Sequence, residues 1–161
     1  MSHFYRVAHR ETHFYRVAYR ETLKRIFILA LVAGLISACA TTRKPTLYDD
    51  LGGKVGVARL VDKLIEKYRA DSRINGLFNE TNFEYFSERL NEYICLVADG
   101  GCEYQGLSME EANSGMDIKE REFNYFVEDS QAAMTEVGIG VGLQNRLLKV
   151  LARDHGDVIR H

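Results

Sequence analysis

Proline is almost missing from this chain of 161 residues and tryptophan is missing altogether. The one proline, Pro45, stands near the front, so nothing after it carries the fixed φ and absent N–H that end a helix. No useful run of alternating apolar and polar residues follows residue 46, which argues against strands. These absences leave an all-α domain as the expectation, and the length suits one such domain. Patterns for nucleophilic catalysis are also lacking: no Ser-His-Asp or Cys-His spacing is suggestive. Gly52-Gly53-Lys54 lacks the remaining residues of a phosphate loop.

The first 38 residues stand apart. Residues 3–12 (HFYRVAHRET) are repeated at 13–22 (HFYRVAYRET) with one change, His9 against Tyr19, a local duplication too short for a repeat architecture. Lys24 and Arg25 then precede the apolar run Ile26 to Ile36 and the small residues Ser37 and Ala38. A basic segment, a short apolar segment and small residues make the pattern of a secretory signal peptide, and the run is short for a membrane span. Ile36-Ser37-Ala38-Cys39 resembles a bacterial lipobox, which implies a lipidated Cys39 at the head of the mature protein. An uncleaved anchor helix is the alternative, and both place the domain in the cell envelope, outside the cytoplasm. The expected organisation is therefore 1–38 signal segment, 39–45 lipidated cysteine and tether, and 46–161 folded domain.

Positive charge is scarce in what remains. Residues 1–38 hold six of the 21 basic and two of the 23 acidic residues, so the mature part is acidic by six charges. Such a surface offers no electrostatic basis for nucleic acid or anionic headgroups, and acyl chains on Cys39 would make the membrane contact. With Cys39 so assigned, Cys95 and Cys102 remain in a compartment where disulfides persist. A bond between them would add about 2.5 kcal/mol in the chain-entropy view, and it is preferred here over free or metal-bound thiols.

Helical spacing dominates the domain. Val57, Leu60, Val61, Leu64, Ile65 and Tyr68 form one apolar face, and Phe83, Phe86, Leu90, Tyr93, Ile94 and Val97 a second. The second is opened by Thr81-Asn82 and ended by Gly100-Gly101. Ser108 with Glu111 has the spacing of a capping box before a short helix through Asn113, and Asp117 with Glu120 an acidic analogue before the next helix. That helix carries Phe123, Phe126, Val127, Met134 and Val137, and Gly138, Gly140 and Gly142 break it. One last helix places Leu147, Leu148, Leu151, His155 and Val158 on one stripe.

Gly52-Gly53, Gly100-Gly101 and Gly115 supply tight turns between these helices. Together with Leu47 to Gly53, Asp71 to Ile74, Leu77-Phe78, Cys95 to Cys102, Tyr104-Gln105-Gly106 and Met109 to Ile118, they make residues 46–161 resemble the group 1 truncated haemoglobins. The resemblance implies a two-over-two helical sandwich around haem, with oxygen or nitric oxide as a diatomic ligand and conversion of the latter as an activity. It also implies a haem pocket at Ile65, Phe78, Phe86, Leu90 and Asn113. Asn113 stands where the family has its proximal histidine, Ile65 where it has a distal tyrosine, and Leu90 where it has a distal glutamine. Phe86 and Phe78 match pocket-lining positions.

An amide oxygen is a weak donor outside the usual axial set of His, Cys, Met and Tyr. The residues therefore favour Asn113 as a helix-end cap, and Ile65, Phe78, Phe86 and Leu90 as apolar packing that fills the space of a lost cofactor. His155, Met109 and Met116 are weaker substitute ligands, and His161 ends the chain. Two functions follow: a haem protein of the family kind, or a haem-free globin scaffold acting as a binding or structural module.

The lipobox is directly testable. Intact-mass analysis of the membrane fraction is expected to show a chain starting at diacylated Cys39, and Cys39→Ser to leave it unanchored or uncleaved. An unmodified residue 39 in that fraction contradicts the assignment.

Overall fold

Threonine 46 starts the first helix by a reciprocal cap. Its hydroxyl accepts from the Asp49 amide, and its own amide donates to the Asp49 carboxylate at 2.9 Å. In the computed structural model, which describes residues 43–159, this helix is α1 (Leu47–Asp50), followed by α2 (Gly53–Ala70) and a 3₁₀ turn (Asn75–Phe78). Then come α3 (Phe83–Val97), α4 (Met109–Asn113), α5 (Glu120–Glu136) and α6 (Val141–Leu151). A 3₁₀ turn (Ala152–Asp154) leads into α7 (His155–Val158). No strand occurs among the described residues, as the absence of alternation predicts. The expected signal segment, duplication and Cys39 lie outside the described residues, and no described helix is long and apolar enough to cross a membrane.

Helix α2 is the centre of the sandwich. It packs on α3 along one side and α5 along another, while α5 also meets α6 and α1 meets α6. The predicted face is the buried one: Leu60 and Val61 are fully enclosed, and Val57 and Leu64 nearly so. Ile94, Ala98, Ala133, Met134 and Leu147 complete the same core. Each such aliphatic side chain contributes roughly 1.5–3 kcal/mol by leaving water. The four long helices α2, α3, α5 and α6 thus give the two-over-two arrangement.

The helix ends show where local patterns mislead. Helix α3 ends in a Schellman motif, with the Gly100 amide on the Cys95 carbonyl and the Asp99 amide on that of Leu96. The left-handed residue is Asp99 (φ 59°), not Gly100. Gly100 is needed for a different reason: a Cβ there would sit 2.5 Å from Cys95 Sγ and 2.7 Å from Tyr48. Asp117 does not cap α5. It takes φ 49° and pairs with Lys119, which is the true N-cap residue and donates its amide to Glu122. Gly142 lies within α6 and does not interrupt it.

The predicted last helix is two pieces. Three residues at 120° each instead of 100° turn the phase by roughly 60°. His155 therefore leaves the apolar stripe. Its Nε2 sits 3.0 Å from Glu120 Oε2, and its ring meets Phe123 edge-on at 4.5 Å. The expected cystine is in place: Cys95 and Cys102 lie at disulfide distance with Cα atoms 5.7 Å apart, joining the end of α3 to the loop that leads to α4.

One glycine governs how α1 meets α2. A Cβ on Gly56 would fall 1.9 Å from the Leu51 carbonyl oxygen, which no side-chain adjustment relieves. Gly56→Ala is expected to destabilise the domain by about 3 kcal/mol or more. Gly142→Ala, in open helical surroundings, is expected to stabilise it by roughly 0.5–1 kcal/mol. Urea unfolding of the two variants checks both signs.

Candidate functional site

Residues spaced by three and four along α2 and α3 point at each other across a space that no side chain fills. Leu60, Leu64 and Tyr68 line it from α2, and Phe86, Leu90 and Tyr93 from α3. Helix α4 contributes Met109, Ala112 and Asn113, followed by Met116 and Ile118, and α5 closes the other side with Phe123, Phe126 and Val127. The result is a cavity of about 580 Å³, within the roughly 300–1,000 Å³ of small-molecule sites.

The structure brings together Phe78, Phe86, Leu90 and Asn113 of the predicted site on this wall. Ile65 belongs instead to the packing around the main core. One residue along a helix turns the side chain by roughly 100°, and it is Leu64 that faces the cavity. The expectation that the apolar replacements fill the space is corrected: Phe78, Phe86 and Leu90 line it and leave it open. They are held back by packing among themselves. Phe78 is the hub of an aromatic cluster, stacked on Tyr68 at 5.8 Å, tilted against Phe86 at 5.7 Å and edge-on to Phe126 at 6.0 Å.

Asn113 ends α4, and its side-chain amide nitrogen donates to the Met109 carbonyl at 2.7 Å. The carbonyl partner fixes which end of the amide is nitrogen. The left-handed position after the helix belongs to Gly115 (φ 77°), so Asn113 acts as a cap through its side chain and not through its backbone. Helix α4 itself is held by the predicted box, with the Glu111 amide on Ser108 Oγ and the Ser108 amide on the Glu111 carboxylate. The Ser108 hydroxyl, which donates to the Glu111 carboxylate at 2.8 Å, and the Ser108 amide hold that carboxyl below the usual carboxylate range.

Several polar wall groups were not singled out from sequence. Tyr68 lies 2.9 Å from Ser130 Oγ, and Ser130 gives its own proton to the Phe126 carbonyl at 2.7 Å, so Tyr68 is the donor. Burial pushes the Tyr68 phenol up to about 12. Tyr104 donates to the Leu107 carbonyl, meets Tyr93 edge-on at 5.5 Å and is raised by burial as well. Arg89 also belongs to the wall, one residue before Leu90, and helical spacing from Phe86 is the signal that could have placed it there.

The walls suit a flat apolar macrocycle, but the donor set does not suit its iron. No histidine or cysteine stands among the described wall residues, and the Asn113 amide is turned to its own helix. Tyr68 and Tyr104 keep their protons in hydrogen bonds, far from the phenolate a metal would need. The thioethers of Met109, Met116 and Met134 are the softer donors left on the wall. The residues present thus accommodate the body of haem and lack its usual axial nitrogen.

A family model described as "Bacterial-like globin" matches residues 46–159. The group 1 truncated hemoglobin of Tetrahymena thermophila is 26% identical over 117 residues, covering 73% of this chain and 97% of that protein. The crystal structure of truncated hemoglobin from Tetrahymena pyriformis in the Fe(III) form superposes with a TM-score of 0.69 at 25% identity, over 71% of this chain and 98% of that one. A Synechococcus 2/2 hemoglobin with covalently attached heme shares the fold, with a TM-score of 0.68 at 21% identity, over 73% of this chain and all of that one. With a family model matched over residues 46–159 and the fold shared, the chain belongs to the bacterial-like globins, among the group 1 truncated haemoglobins.

Proposed function

We propose that this protein is an envelope-anchored, ligand-binding globin whose cavity accepts an apolar molecule without the histidine–iron bond of its relatives. The single observation that carries this reading is an open, largely apolar cavity with no histidine or cysteine among its described wall residues. Family membership supports globin-type haem binding, and the cavity has walls suited to the macrocycle. Haem is then held by enclosure and apolar contact, without a defined protein ligand at Asn113. Oxygen carriage or nitric oxide conversion of the family kind is the second reading, favoured by membership itself. The first differs from a purely structural scaffold because the space has not closed. Its volume of about 580 Å³ and its mainly apolar wall are those of a small-molecule site. Attachment through a lipidated Cys39 would keep the domain at the membrane outside the cytoplasm.

Titration with haemin separates the readings. The wild-type chain is expected to bind haemin weakly and to give a broad absorption band, whereas Asn113→His is expected to tighten binding tenfold or more, about 1.4 kcal/mol. A sharp, stoichiometric haem spectrum from the wild type overturns the proposal and reveals a substitute ligand.

A further inference from the structure

We propose that the Cys95–Cys102 cystine is a redox latch on the cavity wall, which a dithiol reductant opens so that the cavity exchanges its occupant faster. The inference rests on the reading above that the cavity binds an apolar molecule, and it adds how access to that molecule is set.

None of residues 103–117 is buried, yet Tyr104, Leu107, Met109, Ala112, Asn113 and Met116 from this stretch line the cavity. Residues 101–107 make no backbone–backbone hydrogen bond among the described residues, and α4 has its principal helix contact with the short α7. Such a segment opens easily, since few buried apolar contacts oppose its leaving. It is fastened at two ends. Ile118, 2% exposed, holds the far end in the interior, and the cystine ties the near end to Cys95, also 2% exposed, beside the wall residue Ile94 of α3. Between them, the Gln105 amide meets Glu92 at 3.0 Å in a pairing open to water, and the Tyr104 ring lies edge-on to Tyr93.

The two sulfurs differ in access. Cys102 is half-buried between the exposed residues Gly101 and Glu103, whereas Cys95 lies inside. An external thiolate therefore meets Cys102 Sγ first. Its attack forms a mixed disulfide with Cys102 and breaks the bond to Cys95, which leaves as a thiolate and takes a proton. The second thiol of the reductant loses its proton, attacks its own partner sulfur and displaces Cys102, which is protonated in turn. Two electrons have then passed to the cystine, giving two thiols, and the dithiol has become a disulfide. With the bond open, the near fastening moves back to Ala98, which is fully enclosed and accepts from the Tyr48 amide at 2.9 Å. Gly101 (φ 75°), in open surroundings, becomes a pivot. The cross-link no longer restricts the opened states of the stretch, so opening becomes more frequent while α2 and α5 keep their packing.

The test uses the full chain carrying Cys39→Ser, which leaves Cys95 and Cys102 as its only cysteines, either oxidised or reduced with dithiothreitol. Amide hydrogen exchange, read by mass spectrometry, is expected to rise about tenfold or more in 103–117 on reduction and to stay within about twofold in α2 and α5. Release of N-phenyl-1-naphthylamine, an uncharged apolar dye, is expected to become severalfold faster in the same step. Cys102→Ser added to that chain is expected to match the reduced protein with and without dithiothreitol. Unchanged exchange in 103–117, or a rise spread equally over all helices, overturns the latch and leaves the cystine a general staple. A dye release rate unmoved by reduction overturns the gate even where exchange rises. Lack of saturable dye binding by either form removes the reading under Proposed function and this gate with it, whereas dye binding beside unmoved exchange removes the latch alone.

Discussion

The whole domain hangs on the enclosure of α2. Leu60 and Val61 are shut off from solvent by α3 on one side and α5 on the other, and no other long helix of the described residues packs on both of those two. Close approach at its N-terminal end depends on Gly56, which lies against the Leu51 carbonyl with no room for one more carbon. Further along, ion pairs fix the outer edge: Lys67 and Lys63 both reach Glu136 on α5. Such exposed pairs add little stability, so the register of α2 against α5 is set by packing and by the Tyr68–Ser130 hydrogen bond.

The cavity follows from the same arrangement. Helix α2 supplies one wall because Leu60, Leu64 and Tyr68, which belong to the core or pack against it, also line the cavity. The aromatic cluster around Phe78 then works as a spacer. Rings that stack and meet edge-on resist compression, which keeps Phe86 and Phe126 from closing the gap. On the α3 side, the cystine and the Gln105–Glu92 hydrogen bond hold the loop that carries Tyr104.

Family and site pull in different directions here, and the geometry shows why both hold. A globin fold needs helices, glycine turns and an aromatic-lined interior, and none of these requires the iron ligand itself. Asn113 keeps the short helix α4 closed through its hydrogen bond to Met109. That hydrogen bond is the structural duty Asn113 performs at the end of the helix. The cavity presents a largely apolar wall, with Arg89 among its lining residues.

Much of the fold was legible because it is local. Helix faces at α2 and α3 and the Ser108–Glu111 box follow from spacing of three and four and from side chains that bond within a turn, while the two-over-two order was implied by the family resemblance. Phe78, Phe86, Leu90 and Asn113, named from the family resemblance, line one cavity. What the sequence by itself determined, then, was the all-helical class with the faces and caps of its helices, since those signals sit within single helices and short motifs. Only the tertiary structure decided that Leu64, a core residue, also lines the cavity while Ile65 packs around the core. It also decided that His155 turns away to Glu120 and that Tyr68 gives its proton to Ser130. Each of these depends on partners far along the chain, or on a turn of helix phase that no residue pattern records.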